Sequence, residues 1–354
     1  MNTNNYESAK TNSGKAKFRN RYSRIGIDLG SSHIKMVQLC QDRGRIIILK
    51  KASFTIPEGL IEKGRITDTP ALTAILRQLR KEHNWKKDYV NLCLGPQAFH
   101  LARLNLPPMR AKDLNSAMRW EMEKRFPLTA ENAVFSFCPA TGSSDNRSKD
   151  REYLLVAADK NIASEYIITT QNAGFKPVSL EISPFSLLRI PAFLYLDKDI
   201  QPKEHALILD IGHLNTTALI TGEGKFCFYR NLRIGAKHFL QQDKNKRDTI
   251  YYKPDSEAFL NTARLLTARL NQSVDYWLEQ ADQTGNYPSS LLLSGGGIFI
   301  PGLPAFISKT LNIKPSLYSS VFSGGDFAKQ ETKLTARQNL IFTTAIGLAL
   351  KGWK

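Results

Sequence analysis

Apolar positions along this chain fall into two rhythms. Short runs with strand character occupy 25–39, 45–56, 89–94, 98–106, 133–139, 153–158, 206–220, 225–234 and 291–294, set off by glycine, proline or polar clusters. Between them the period changes to that of a helix. Leu72, Ile75, Leu76 and Leu79 mark one face of a helix that opens after Asp68, a good N-cap, and runs to about Lys81. Leu114, Met118 and Met122 mark a second over 112–125, stopped by Pro127, and a third follows residue 158 and closes at Gly174. Phe259, Ala263, Leu266, Leu270, Val274, Trp277 and Ala281 recur three and four apart, which predicts a long amphipathic helix packed on a sheet. Leu340, Ile341, Ala345, Leu348 and Ala349 predict a last helix that starts at Lys333 or Ala336 and ends at Leu350. Strands alternating with helices make this an α/β chain.

One phrase within this pattern occurs twice. Ile25-Gly-Ile-Asp-Leu-Gly-Ser-Ser-His-Ile-Lys35 is answered by Ile208-Leu-Asp-Ile-Gly-His-Leu-Asn-Thr-Thr217. Each copy is an apolar strand ending in Asp-x-Gly, then small polar residues, then a second strand. Such a hairpin suits a phosphate. Gly30 and Gly212 offer backbone angles closed to other residues and let the chain approach a ligand. Successive turn N–H groups form an anion-binding hollow. Asp28 and Asp210 stand at the turn mouths, where carboxylates hold Mg²⁺ through water while phosphate oxygens complete the shell. A third motif, Leu291-Leu-Leu-Ser-Gly-Gly-Gly-Ile298, runs a buried strand into a triple-glycine turn that can lie flat against an adenine ring or ribose.

Composition narrows the setting. The 354 residues have room for two or more cores, and 42% hydrophobic with 23% charged residues is ordinary globular usage. No apolar run reaches the roughly 18–20 residues of a membrane span, and the polar N-terminus lacks an export signal, so a cytoplasmic location is expected. Cys40, Cys93, Cys138 and Cys227 are scattered and fit reduced thiols, with no zinc-ligand spacing. The net charge is +17, with Lys10, Lys15, Lys17, Arg19, Arg21 and Arg24 concentrated ahead of the first strand. Without a nucleic-acid motif, this charge points to the anionic inner face of a membrane.

The order Asp-x-Gly, Asp-x-Gly, Ser-Gly-Gly-Gly resembles the phosphate 1, phosphate 2 and adenosine motifs of the actin-like ATPases. Further phrases narrow the resemblance to the FtsA/PilM branch of that superfamily, on the side of the PilM family of type IV pilus assembly. They are Ile56-Pro-Glu-Gly-Leu-Ile-Glu-Lys-Gly-Arg-Ile-Thr-Asp68, the strand 101–107 with Arg103, Leu154-Leu-Val-Ala-Ala-Asp-Lys160, Gly174-Phe-Lys-Pro-Val178, Phe228-Tyr-Arg-Asn-Leu-Arg-Ile-Gly235 and Ala345-Ile-Gly-Leu-Ala-Leu350. The likeness covers about 24–354.

The resemblance implies an α/β, actin-like (ribonuclease H-like, duplicated) ATPase fold of two lobes with an inserted 1C-type subdomain. The boundaries it implies are a disordered basic tail 1–23, lobe I over 24–97 and 177–203, the 1C subdomain 98–176, lobe II 204–334, and a C-terminal helix 335–354 returning to lobe I. ATP or ADP with Mg²⁺ would be held by Asp28, Gly30, Ser31, Ser32 and Lys35, by Asp210, Gly212, Asn215 and Thr216, and by Ser294, Gly295, Gly296 and Gly297. Glu181 falls where the family carries an acid that orients or activates water. Ser183 stands where relatives carry a second acid, and the charged stretch 241–255 replaces a helix that contacts nucleotide, so hydrolysis is expected to be weak or absent. His33 and His213 read as variable loop positions. The implied partner is the cytoplasmic N-terminal tail of the inner-membrane protein PilN and, through it, PilO, PilP and PilQ, with pilus motor or platform proteins beyond. That would make the chain a cytoplasmic adaptor at the inner membrane, in fimbrium biogenesis and twitching motility. A membrane-tethered, FtsA-like division filament is the alternative, and a sugar-kinase-like phosphotransferase a more distant one.

Overall fold

The computed structural model describes residues 21–42, 45–85, 89–140, 150–195, 205–242, 250–254, 256–280, 287–317 and 339–352. Outside them lie most of the expected basic tail, the turn at Gly44, most of the polar loop 141–151, the hinge at 201–204, and Lys333 and Ala336. The fold is built on two five-stranded sheets of the same design.

The first half of the chain forms β1 (Arg21–Leu29), β2 (His33–Asp42), β3 (Arg45–Thr55), the short strands β4 (Ile61–Glu62) and β5 (Arg65–Ile66), α1 (Thr69–His83) and β6 (Tyr89–Leu94). There follow β7 (His100–Leu106), α2 (Ala111–Arg125), β8 (Ala133–Pro139), β9 (Arg151–Asp159), α3 (Lys160–Asn172), β10 (Lys176–Ile182) and α4 (Ser183–Tyr195). In the first sheet the order is β3-β2-β1-β6-β10, antiparallel across the first three strands and parallel across the last three. The second half gives β11 (His205–Ile211), β12 (Thr216–Gly222), β13 (Lys225–Leu232), β14 (Leu240–Gln242), β15 (Ile250–Tyr252), α5 (Glu257–Gln280), β16 (Ser290–Ser294), α6 (Leu303–Leu311), β17 (Pro315–Leu317) and α7 (Thr343–Ala349). Its sheet runs β13-β12-β11-β16-β17 with the same sequence of antiparallel and parallel pairings.

The duplication explains the repeated phrase. β1 and β11 are the central strands, covered on both faces and therefore nearly all apolar: Ile25, Ile27, Ile208 and Leu209 are fully buried. Each turns sharply after its Asp-x-Gly into the next strand. β1 starts at Arg21, inside the stretch read as tail, because Ser23 is part of the sheet: its hydroxyl accepts the Leu39 N–H at 2.8 Å. Asp68 caps α1 as expected, its carboxylate accepting the Ala71 N–H at 2.8 Å, and α1 runs on to His83.

β7, β9 and β8 form a separate three-stranded sheet with β9 in the middle, and α2 lies on one face through Met118 and Met122. α3 leaves that sheet and packs on α1 and β10. α5 presents Phe259, Ala263, Leu266, Leu270, Val274 and Trp277 to the core of the second half. The last helix is shorter than its apolar run predicted. Leu340 and Ile341 belong to a single 3₁₀ turn, and α-helix begins at Thr343. α7 lies flat on the first sheet against β1, β2 and α4. Contact there is backbone on backbone: a Cβ on Gly26 would stand 2.0 Å from the Ala345 carbonyl oxygen, and one on Gly347 1.9 Å from that of Ser186.

Candidate functional site

The two hairpin turns face each other across a cleft between the sheets. In each, the glycine N–H donates to a carbonyl three residues on, Gly30 to His33 at 3.1 Å and Gly212 to Asn215 at 2.9 Å. Neither glycine has a left-handed backbone, contrary to the expectation from sequence. They are needed for closeness instead. A Cβ would stand 2.9 Å from the His33 oxygen at Gly30 and 3.1 Å from the Asn215 oxygen at Gly212. The left-handed residue is Gly295, at φ +86°, where a Cβ would meet the Ile211 oxygen at 2.4 Å. The triple-glycine turn is thereby pressed onto the end of β11, beside the second hairpin.

The three turns open on one cavity of about 320 Å³. Asp28, Gly30, Ser31, Ser32, Lys35, Asp210, Gly212, Asn215, Gly295, Gly296 and Gly297 all line it. Two expected residues stand behind the wall. Ser294 is fully buried and donates to Asp210 Oδ1 at 2.8 Å, and Thr216 is fully buried and donates to the Ile234 carbonyl at 2.7 Å. They hold the wall and do not face the cavity.

Glu181 needs a larger correction. It does not line the cavity. Both its oxygens are taken by Arg189 of α4, each at 2.8 Å, and Oε2 is shared with Lys351 at 2.8 Å. With its carboxylate held by two cations, Glu181 pins β10, α4 and the end of α7 together and is not placed to handle a water molecule.

Charge in the cleft is concentrated at its floor. Lys35 reaches across the hairpin to Asp28 Oδ2 at 2.9 Å. Burial pulls the Lys35 ammonium down, but Asp28 and, further off, Asp210 outweigh it and hold its pKa above the ordinary lysine value. Burial pushes the Asp210 carboxyl up, against the Ser294 hydrogen bond and Lys35. His33 and His213 also line the cavity, and both are held low, first by burial and then by the neighbouring cations Lys35 and Lys237 respectively. Both ring nitrogens of His33 are engaged, with Ser32 Oγ at 3.0 Å and Thr55 Oγ1 at 3.1 Å.

The second lobe is tied to the first at the second hairpin, at β13 and at the turn that follows it. Gln97 donates to Asn215 Oδ1 at 2.9 Å, Asn231 reaches the Pro96 carbonyl at 3.4 Å, and Lys237 pairs with Glu58. The lobes therefore meet around the cavity rim.

The lining fits a polyphosphate. Gly95 and Gly296 line the cavity, and a Cβ on either would meet no atom within 4 Å, so bare backbone is presented to the open space. Ser183, 8% exposed, contributes a buried hydroxyl that finds no partner among the described residues, and an orphaned polar group of this kind is satisfied by a ligand or water. The two carboxylates, Asp28 and Asp210, suit a hydrated divalent cation, and the bare backbone of the glycine turns suits the phosphates it would carry. Among the described residues no cluster of three or more His, Cys, Asp or Glu could hold a metal alone.

Sequence reasoning missed Lys63 and Gly64 at the β4–β5 turn, the turn 95–97, Tyr166, Thr217, Tyr252, Ile341 and Thr344, all of which line the cavity. Tyr252 lies in the stretch 241–255, whose described part is the β14–β15 hairpin. The strands involved are only two or three residues long, too short for periodicity to show.

Comparison with known proteins bears on both family and fold. The model of the family described as Type IV pilus assembly protein PilM matches residues 26–251. No curated protein matches. A solved PilM-PilN type IV pilus biogenesis complex is similar at 24% identity over 94% of this chain and 99% of its own, with a TM-score of 0.78. Ethanolamine utilization protein EutJ from Carboxydothermus hydrogenoformans is similar at 14% identity over 94% of this chain and 90% of its own, with a TM-score of 0.50. The architecture is the actin-like ATPase fold.

Proposed function

Since the chain belongs to the family of the type IV pilus assembly protein PilM, we propose that it is a nucleotide-binding adaptor of that assembly, held in one lobe arrangement by ATP or ADP with Mg²⁺. The observation that carries this reading is the pair of Asp-x-Gly turns facing each other across one cavity, with the triple-glycine turn beside them. In the proposed complex, Ser31 and Ser32 of the first turn and His213 to Asn215 of the second supply N–H groups and polar side chains to the phosphates, while the Gly30 and Gly212 N–H groups close the turns and leave bare backbone beside them. Lys35 neutralises phosphate charge, Asp28 and Asp210 face the hydrated Mg²⁺, and Gly295 to Gly297 lie along the nucleoside. The bound metal would draw charge from the phosphates and join the two turns. Such a ligand favours the lobe arrangement it contacts on both sides, and that preference is how an adaptor is switched.

Hydrolysis is not part of this proposal. The cavity is lined by two carboxylates among the described residues, Asp28 and Asp210, and these already engage Lys35 and Ser294. Ser183 is neutral, and Glu181 is locked in its ion pairs. Among the described residues no lining carboxylate is left free to act as a base toward water. ATP turnover by the purified protein is expected to stay at background in a phosphate-release assay; steady release above a control lacking protein would overturn this part of the reading.

The partner we propose is the cytoplasmic N-terminal tail of a PilN protein, received beside the β7–β9–β8 subdomain at the inner face of the membrane. Through PilN the chain would connect to PilO, PilP and PilQ. Three observations support this. A solved structure similar in fold is a PilM-PilN complex. No helix among the described residues is long and apolar enough to cross a membrane. A net charge of +17 suits an anionic surface. Calorimetry with a peptide copying the PilN tail, with and without Mg-ATP, tests it. Micromolar or tighter binding is expected, and no heat under either condition would refute the partner while leaving the nucleotide reading to its own titration.

A further inference from the structure

The turn joining β4 to β5 holds a residue out of keeping with its conformation. Ile61 pairs with Ile66 and Glu62 with Arg65, leaving Lys63 and Gly64 as a two-residue turn with φ of +49° and +78°. Two left-handed residues make a primed hairpin turn, whose first position favours Asn, Asp or Gly. A lysine there is strained by its Cβ. Outliers of this kind persist where the surroundings fix them, and they gather at ligand sites.

The surroundings do fix this one. Ile61 and Ile66 are buried under the strands. The hydroxyl of Tyr166, itself fully buried, donates to the Gly64 carbonyl at 3.2 Å. A Cβ on Gly64 would stand 2.6 Å from that of Ala98, so the tip is pressed down as well as tied. The turn is thereby held in the cavity wall, and Lys63 lines the same cavity as Asp28, Lys35 and Asp210.

Charge gives this position a purpose. Those four carry the formal charges that line the cavity among the described residues. Lys35 is committed to Asp28 at 2.9 Å. Lys63 is exposed and has no ion-pair partner among the described residues. His33 and His213, with pKa values lowered by burial and by nearby cations, add no positive charge near neutrality. Without Lys63 the lining would carry a net negative charge toward an anionic ligand. With it, the lining is balanced, and the uncommitted charge stands on a fixed turn.

We propose that Lys63 is a second phosphate-binding cation of the cleft, engaging the terminal phosphate and setting a preference for nucleoside triphosphate over diphosphate. This rests on the nucleotide reading of the preceding subsection. A terminal phosphate carries more charge than a bridging one, so an ammonium placed for it acts mostly on the triphosphate.

The informative variant is Lys63→Asn, because asparagine tolerates the left-handed turn and removes the charge. Its melting temperature should equal or exceed that of the wild type. In calorimetry with Mg²⁺, affinity should fall about tenfold for ATP, a size typical of a lost charge-assisted contact, and clearly less for ADP. The salt dependence of ATP binding should become shallower. Lys63→Arg, which keeps the charge, should retain the triphosphate preference. ATP affinity within about twofold of wild type in Lys63→Asn, or equal losses for ATP and ADP, would overturn the proposal and leave the nucleotide site standing. A folded wild-type protein that bound neither nucleotide would overturn the underlying reading and this inference with it.

Discussion

Asp210→Asn is expected to remove Mg-ATP binding almost completely, by roughly a hundredfold or more, equivalent to about 2.8 kcal/mol, while leaving the protein folded. Asp210 closes β11 at the mouth of the second turn, with its Oδ1 oriented by the Ser294 hydroxyl at 2.8 Å. Asparagine keeps the shape and can still accept that hydrogen bond, but it brings no charge to a divalent cation. The same substitution should make the empty protein more stable. Burial raises the Asp210 pKa above the ordinary 3.8, so the fold favours the protonated form. That stability is complete below 3.8 and is lost as pH rises through the elevated folded value. Near neutrality the empty cleft therefore holds an unfavourable charge that Asp210→Asn deletes. Thermal melts should show the variant above the wild type at pH 7, with the gap closing toward pH 4. Retained Mg-ATP affinity would remove Asp210 from the binding assignment, and a variant that melts lower at pH 7 than at pH 4 relative to wild type would contradict the electrostatic account.

What could be read from the chain in advance was the part whose chemistry is local. An Asp-x-Gly turn needs its glycine within a few residues of the carbonyl it crowds, so both phosphate turns and the triple glycine stood out as contiguous phrases. Where function depends on distant partners, the reading failed. Glu181 looked available because nothing adjacent neutralises it; Arg189 is eight residues on and Lys351 comes from the end of the chain, and folding brings both to one carboxylate. Lys63 and Tyr252 were hidden for another reason. They sit on hairpins whose strands are two or three residues long, and their neighbours follow neither a strand nor a helix period. The last helix was drawn too long because apolar residues run on from Leu340, where the chain passes the cleft as a 3₁₀ turn before it becomes α-helix.

That passage is the basis of the second large effect. Gly347→Ala should lower stability by about 3 kcal/mol, the upper part of the usual overpacking range, and the melting temperature by roughly 4 °C. The new Cβ would lie 1.9 Å from the Ser186 carbonyl oxygen and 2.6 Å from its carbon. Both are backbone, so no side chain can swing away, and α7 must lift from α4. Lifting it loosens bonds that hold the helix to the first lobe: Arg189 to the Gly347 carbonyl at 2.6 Å and Asn91 to the Leu348 carbonyl at 2.9 Å. It also reaches the cleft, because Thr344 and Ile341 line the cavity and the Leu340 carbonyl accepts the Gly295 N–H at 3.1 Å. Nucleotide affinity should therefore fall along with stability. Gly296→Ala provides the contrast. Its Cβ would meet no atom within 4 Å and its backbone is not left-handed, so the fold should keep its melting temperature, while the methyl projects into the cavity and weakens nucleotide binding. If Gly347→Ala melted like the wild type, the close seating of α7 on α4 would be wrong. If Gly296→Ala bound nucleotide unchanged, the nucleoside would not lie along the triple-glycine turn.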